Sequence, residues 1–184
     1  IDLVDLFLKN KADVNAVSMD GRTALLQAVS EGNLDVAKTL SENGANVNYK
    51  EPREGLTALL IATALGDIDM AKLLVGAKAK VNEADNKGNT PLMVASANDD
   101  SEMVNWLIEA GAEVNAKAGP KGITALMAAV NSGTPDAAES LVAKGADINA
   151  KKTLAKSDHW TRDLYAFVAD RYQAQQKGQG KTYD

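Results

Sequence analysis

The side chains best suited to catalysis lie together near the end of the sequence, where Ser157, Asp158 and His159 are adjacent. Serine, histidine and aspartate perform nucleophilic catalysis when their side chains converge from separate segments of a fold. Three consecutive residues do not provide that geometry, and His159 is the single histidine of the sequence. We therefore expect Ser157 and Asp158 to cap a helix beside an exposed histidine, and we predict no catalytic residue.

A second candidate is the acidic run of Asp99, Asp100 and Glu102, whose carboxylates could bind a cation. An EF-hand loop needs alternating oxygen ligands, a central glycine and a distal glutamate, and the spacing here differs. Negative side chains also stabilise the start of a helix, where the helix dipole is positive. We predict this capping role, with Asp67 and Asp69 in the same role earlier in the chain, and we predict no metal site.

The composition excludes several other kinds of chemistry. The 184 residues include no cysteine, which removes disulfides, thiolate metal sites and cysteine nucleophiles. Lys and Arg total 20 against 25 Asp and Glu, and no basic stripe suits nucleic acid or an anionic membrane. No apolar run approaches the roughly 20 residues that span a bilayer. We predict a soluble protein that has no enzymatic activity and binds no cofactor.

The elements that must position any site recur along the chain. A four-residue phrase, Ala-x-Val/Ile-Asn, returns at nearly constant intervals and ends at Asn15, Asn48, Asn82, Asn115 and Asn149. Each full interval also carries a Gly-x-Thr group, a short apolar helix, a turn and a second helix with apolar residues at helical spacing. The recurring threonines suit helix N-caps and are Thr23, Thr57, Thr90 and Thr124. Such a period predicts a stack of similar units.

Glycine recurs where the second helix of each unit ends, a position that favours positive φ. It is present as Gly44, Gly111 and Gly145, whereas Lys78 occupies the place in one unit. We therefore expect Lys78 to lie at a position that suits glycine better.

The segment from Gly88 to Ala95, Gly-Asn-Thr-Pro-Leu-Met-Val-Ala, together with the segment from Glu109 to Ala116, resembles an ankyrin repeat. That family has a unit of about 33 residues whose first helix opens with Thr-Pro-Leu-His-x-Ala. The histidine of this motif is absent here and is replaced by Leu26, Leu60, Met93 and Met127. The resemblance therefore implies that apolar packing substitutes for the hydrogen bonds that the histidine would supply between repeats.

The resemblance implies an all-α repeat solenoid, in which each repeat is a helix-turn-helix with a β-hairpin-like loop. We predict a single ankyrin-repeat domain over residues 1–184, with a partial repeat at 1–17 and full repeats at 18–50, 51–84, 85–117 and 118–151. Residues 152–172 are predicted to form a divergent capping helix, and residues 173–184 a flexible tail. Because the sequence opens at Ile1 within a helical pattern, we expect a fragment or a processed product, in which a signal peptide would not be visible.

In ankyrin proteins the hairpin tips and the first helices line a concave face that usually contacts partners. Carried over by position, the residues just before the recurring threonines form a stripe of Arg22, Leu56, Asn89, Ile123 and Trp160. Arg53 and Lys121 lie on the two hairpins that are one residue longer than the hairpin carrying Lys87, and Leu65 lies on the expected groove wall. In the alternative interpretation, the apolar members of this set pack against adjacent hairpins.

The sequence thus predicts a non-enzymatic, monomeric module that binds a protein partner through the concave face. We predict that it does not bind nucleic acid and does not insert into a membrane. The alternative function is an ankyrin scaffold or regulatory segment within a larger enzyme or membrane-associated polypeptide. Cytoplasmic and exported locations both fit the residues.

Overall fold

The computed structural model describes residues 2–150, and this part of the chain forms nine α-helices. α1 spans Asp2–Lys9, and the remaining helices come in pairs of a first and a second helix. The first helices are α2 (Ala24–Ser30), α4 (Ala58–Ala64), α6 (Pro91–Ala97) and α8 (Ala125–Ser132). The second helices are α3 (Leu34–Glu42), α5 (Ile68–Gly76), α7 (Ser101–Glu109) and α9 (Pro135–Ala143). The predicted all-α repeat architecture is therefore confirmed.

The loops between the helix pairs of residues 2–150 form no β-strand. Within residues 2–150 the β-bridges are isolated, one joining Val17 to Thr23 and one joining Ala118 to Ile123. The predicted capping helix at 152–172 and tail at 173–184, with Ser157, Asp158 and His159, lie outside the described residues. None of the helices in the described part has the length and apolar character needed to cross a lipid bilayer.

Polar side chains start the helices at the predicted places. In three first helices a threonine Oγ1 accepts a backbone N–H at 3.3 Å. Thr23 accepts it from Leu26, Thr57 from Leu60 and Thr124 from Met127. Asp67 and Asp100 accept the N–H groups of Met70 and Met103, both at 2.9 Å, so their predicted capping role is confirmed. Asp99 differs, because its backbone has a φ of 58° and its carboxylate accepts the Ala137 N–H at 3.3 Å.

The chain divides into two compact units, Ile1–Pro91 and Leu92–Asp184. In the first unit, α2 packs on α3 and α4, α4 packs on α5, and α3 also contacts α1 and α5. In the second unit, α9 packs on α7 and α8. Alanines such as Ala58 and Ala129 are buried on the first helices and permit close approach of their neighbours. Leucines such as Leu59 and Leu126 are fully buried, and each contributes about 1.5–3 kcal/mol of apolar burial.

The asparagine that ends the recurring phrase links one repeat to the next. Asn48 Nδ2 donates to the Lys78 carbonyl at 3.0 Å, and Asn48 Oδ1 accepts the Lys80 N–H at 2.8 Å. The same pair of bonds joins Asn15 to Gly44 and Asn46, and Asn115 to Gly145 and Asp147. The prediction that apolar packing substitutes for the missing histidine bonds is therefore incomplete, because these side chains supply hydrogen bonds between repeats.

Lys78 has the left-handed backbone conformation that glycine has at the corresponding position of other repeats. Its φ is 74°, compared with 87° at Gly44, 99° at Gly111 and 90° at Gly145. A side chain at positive φ is strained by contact between Cβ and the backbone. The sequence expectation for this position is confirmed.

Candidate partner-binding site

Three of the predicted partner-binding residues line one pocket of the first unit, which we call the hairpin pocket. Arg22, Arg53 and Leu56 form part of its wall, and its volume is about 400 Å³. The remaining lining residues are Asp20, Gln27, Glu51 and Glu54. The pocket is therefore built from the hairpin at 18–22, the hairpin at 51–56 and one side chain of α2.

The hairpin at 51–56 is organised by the carboxylate of Glu51, whose residue is only 7% exposed. Glu51 Oε2 accepts the Arg53 N–H at 2.8 Å, and Oε1 accepts the N–H groups of Glu54 at 2.6 Å and Leu56 at 3.2 Å. The Glu51 N–H also donates to the Leu56 carbonyl at 3.0 Å. One side chain thus satisfies three backbone donors and holds the longer hairpin in a single shape.

These contacts determine the charge of Glu51. Burial of the carboxylate raises its pKa, but the N–H groups of Arg53, Leu56 and Glu54 stabilise the ionised form more strongly. The pKa of Glu51 therefore lies below the ordinary glutamate value. The buried side chain is an anion at neutral pH, and its charge is already compensated by the backbone.

Arg22 and Asp20 are also held by neighbours within the first unit. Arg22 Nη1 donates to Ser30 Oγ at 3.3 Å, and Arg22 Nε lies 4.0 Å from Asp20 Oδ2. The Ser18 hydroxyl donates to Asp20 and lowers the pKa of its carboxyl, with further favourable charge from Arg22 and Arg53. Asp20 and Arg22 therefore already have polar partners within the first unit.

Three other side chains of the pocket are better placed to contact a partner. Arg53 and Glu54 are exposed, and Leu56 is half-buried. The Leu56 N–H donates to the Glu51 carboxylate and the Leu56 carbonyl accepts the Glu51 N–H, so these two bonds fix the backbone that carries the side chain. An apolar side chain with a cation and an anion beside it can give both affinity and orientation.

The first residue of each hairpin makes hydrogen bonds to later residues of that hairpin, and the kind of bond differs between repeats. Ser18 Oγ accepts the Arg22 N–H at 3.1 Å, and Asp85 Oδ1 accepts the N–H groups of Lys87 and Asn89, both at 2.8 Å. Ala118 closes its hairpin through backbone bonds to Ile123, at 2.7 and 3.0 Å. The predicted residues did not include Ser18, Glu51 and Asp85, although a side chain that can accept hydrogen bonds recurs at this position in three of the four full repeats.

The other predicted residues lie elsewhere. Leu65 is 57% exposed directly after α4, and it does not line the hairpin pocket. Asn89 is half-buried, and its Nδ2 donates to Asp85 Oδ2 at 2.8 Å within its own hairpin. In the second unit, Lys121 is exposed at a hairpin tip and Ile123 is half-buried. Trp160 lies outside the described residues.

No group of three or more histidine, cysteine, aspartate or glutamate residues within residues 2–150 is arranged to hold a metal ion. The acidic run at Asp99 and Asp100 is used in helix capping and backbone contacts, as its hydrogen bonds show. The hairpin pocket is thus the strongest candidate site among the predicted residues.

Comparison with known proteins identifies the repeat. No curated protein matches the chain. A family model described as ankyrin repeats, in three copies, matches residues 1–51, 48–118 and 82–152. These matches cover most of the 184 residues, including the described residues of both units. The helix pairs, the threonine caps and the asparagine links are therefore those of a member of the ankyrin-repeat family, to which this chain belongs.

Proposed function

We propose that this chain binds a partner protein, without catalysis, through the hairpin pocket of its first unit. Ankyrin repeats are generally protein–protein interaction modules and are generally non-catalytic. The observation that carries the proposal is the meeting of Arg22, Arg53 and Leu56 in one pocket of about 400 Å³. These residues were predicted as partner contacts from their positions in the repeat alone.

The pocket is suited to binding because much of its wall is rigid in advance. The Glu51 carboxylate fixes the backbone of Arg53, Glu54 and Leu56, so little conformational freedom is lost there when a partner binds. The Leu56 side chain is half-buried and can be covered by an apolar side chain of the partner. Arg53 and Glu54 then select a partner with complementary charges beside that apolar residue.

Lys121 and Ile123 repeat this arrangement in the second unit, where a longer hairpin again presents a cation and a half-buried apolar residue. We propose them as a separate contact for a partner. Their hairpin lacks an equivalent of the Glu51 carboxylate, because Ala118 occupies that position. The hairpin pocket is therefore expected to contribute more of the binding free energy.

The proposal is tested by affinity capture from the native source, followed by quantitative mass spectrometry, with four forms of the chain. Wild type and Lys87→Glu should retain the same partner, whereas Leu56→Arg and Arg53→Glu should lose it. Lys87 is the matched control, because it is also exposed and holds the corresponding hairpin position in the next repeat. Both charge reversals change the net charge equally, so a general electrostatic effect would act on both.

Circular dichroism and thermal melting separate lost binding from lost folding. Leu56→Arg should leave the spectrum and the Tm nearly unchanged, because the hydrogen bonds of Leu56 to Glu51 use its backbone. The proposal fails if all four forms retain the same proteins. It also fails if capture is lost only in variants that melt at a lower temperature, because Leu56 would then be a packing residue.

A further inference from the structure

The hairpin pocket contains two guanidinium groups, those of Arg22 and Arg53, which belong to neighbouring hairpins. Its wall also carries the carboxylates of Asp20, Glu51 and Glu54, so the sum of the charges does not identify the chemistry of a ligand. The hydrogen bonds and ion pairs of each charged group decide which of them can bind a partner.

The backbone that carries each arginine is fixed by contacts between hairpins. The Tyr49 hydroxyl donates to the Gly21 carbonyl at 3.0 Å, directly before the first arginine. Asn86, on the next hairpin, donates its backbone N–H to the Glu54 carbonyl at 2.8 Å and its Nδ2 to the Arg53 carbonyl at 3.2 Å. Both arginines therefore start from ordered backbone, which lowers the entropy cost of binding.

Two of the three carboxylates are already engaged within the chain. Glu51 is buried, and its oxygens accept three backbone N–H groups. Asp20 accepts the Ser18 hydroxyl, and its pKa is lowered first by that bond and then also by the positive charges of Arg22 and Arg53. The two guanidinium groups thus act on one carboxylate, which has a hydrogen-bond partner of its own.

The guanidinium groups keep most of their N–H donors open. Arg22 donates to Ser30 Oγ at 3.3 Å, and its Nε lies 4.0 Å from Asp20 Oδ2, a distance too long for a hydrogen bond. The side chain of Arg53 is exposed and forms no hydrogen bond or ion pair with another residue of the described part of the chain. The open groups of these two side chains are donors that need an acceptor.

Glu54 opposes an anionic ligand, because its carboxylate is exposed and forms no ion pair within residues 2–150. Two guanidinium groups are nevertheless open against this one carboxylate. A planar guanidinium also matches the geometry of a carboxylate and can bind both of its oxygens. The balance of open groups therefore favours a carboxylate as the ligand.

Given the proposed function, on which this inference rests, we propose that the hairpin pocket recognises an acidic side chain of the partner next to an apolar one. The aspartate or glutamate carboxylate of the partner lies between Arg22 and Arg53. The adjacent apolar side chain covers Leu56, which is half-buried. A volume of about 400 Å³ lies in the lower part of the range of pockets that hold small ligands, so it suits a few side chains of a partner.

The test uses three short peptides that differ in one side chain: acetyl-Ala-Glu-Leu-amide and the same peptide with Gln or Lys in place of Glu. In NMR titrations of the ¹⁵N-labelled full chain at low salt, the glutamate peptide should bind in the millimolar range and at least about 3-fold more tightly than the glutamine peptide. It should shift the Nε–H signals of Arg22 and Arg53 and the backbone N–H of Leu56. Added salt should weaken it, and the lysine peptide should bind most weakly.

Variants of the chain locate the binding. Arg53→Gln should reduce the affinity for the glutamate peptide to that for the glutamine peptide, and Arg53→Lys should restore part of it. Arg22→Gln gives the same loss from the other hairpin. Glu54→Gln should tighten binding of the glutamate peptide, because it removes a carboxylate that repels it. Lys87→Gln is the matched control, since Lys87 is exposed on the next hairpin and outside the pocket, and thermal melting checks that each variant is folded.

Several results would overturn the proposal. They are tighter binding of the lysine peptide, equal binding of the glutamate and glutamine peptides, and no saturable shift at millimolar peptide. Wild-type affinity of both Arg22→Gln and Arg53→Gln for the glutamate peptide would do the same.

Affinity capture separates this proposal from the proposed function. If Leu56→Arg loses a partner that Arg22→Gln and Arg53→Gln both retain, the pocket binds a partner but does not recognise a carboxylate. If capture does not depend on Leu56, the proposed function itself fails, whatever the peptides show.

Discussion

Replacing Glu51 with glutamine tests whether its carboxylate holds the hairpin pocket together. Glutamine has a similar shape but offers one acceptor oxygen and an amide donor where the carboxylate accepts three N–H groups. Its NH₂ group would face the donors that Glu51 now accepts. Glu51→Gln therefore weakens all three bonds and leaves at least one backbone donor without its present partner.

The magnitude follows from the kind of bond. Hydrogen bonds to a charged group contribute about 1.5–3 kcal/mol each, and neutral ones about 0.5–1.5 kcal/mol. Arg53 and Glu54 are exposed, so water replaces part of what their N–H groups lose. We expect Glu51→Gln to lower the free energy of unfolding by about 2 kcal/mol, which corresponds to a Tm lower by about 4–8 °C.

The effect should also depend on pH. Because the pKa of Glu51 is lower in the folded chain than in the unfolded one, its ionisation stabilises the fold above the unfolded pKa of about 4.3. That contribution is lost as pH falls through the lower, folded pKa. The difference in stability between wild type and Glu51→Gln should therefore be complete at neutral pH and shrink in acid.

Urea denaturation followed by circular dichroism, at neutral pH and at several acidic values, measures this difference directly. Glu54→Gln is the control, because Glu54 is the neighbouring exposed carboxylate and should change stability little. The reasoning is refuted if Glu51→Gln is as stable as wild type at neutral pH. A difference that stays constant down to about pH 2 would also refute it, because the lost interaction would then not involve an ionised carboxylate.

Three further predictions concern the repeat frame and use the same denaturation assay. Lys78→Gly should raise the free energy of unfolding by about 0.5–1 kcal/mol, since glycine relieves a φ of 74°; a loss of stability would show that the position is not strained. Asn48→Ala should cost about 1–2 kcal/mol through its two bonds to Lys78 and Lys80, and an unchanged midpoint would contradict the linking role. Thr57→Ala should cost about 1 kcal/mol by removing the N-cap of α4, with Thr57→Ser expected to retain most of it.

Most of the helix arrangement could be predicted from the sequence because it depends on local chemistry that recurs. The threonine caps, the carboxylate caps at Asp67 and Asp100 and the positive φ of Lys78 each follow from residues within one repeat. The asparagine bonds could not be predicted in the same way. Asn48 contacts residues 30 and 32 positions later, so its partners are defined only once successive repeats are placed side by side.

The candidate site could be predicted only in part, because position in the repeat is visible in the sequence whereas contacts between hairpins are not. Position in the repeat identified Arg22, Arg53 and Leu56, and the structure brings these three into one pocket. Position in the repeat did not distinguish these residues from Leu65, which is exposed outside that pocket, because Leu56 and Leu65 are both apolar residues that flank α4.

The two longer hairpins differ in how they are stabilised, and this difference favours the first unit as the place of the partner-binding site. Both contain one more residue than the hairpin at 85–89, so each must accommodate extra backbone. In the second unit, Gly119 and Gly122 do so at φ values of 57° and 62°, and backbone bonds between Ala118 and Ile123 close the loop.

In the first unit, the side chain of a glutamate stabilises the longer hairpin. Glu51 reaches three N–H groups, and the loop carries one positive-φ glycine, Gly55, in place of two. A loop held by a buried carboxylate loses less conformational freedom on binding than one whose turn depends on two glycines. For equal contacts with a partner, Leu56 and Arg53 should therefore bind more tightly than Ile123 and Lys121, and exchanging Glu51 for alanine should remove that advantage.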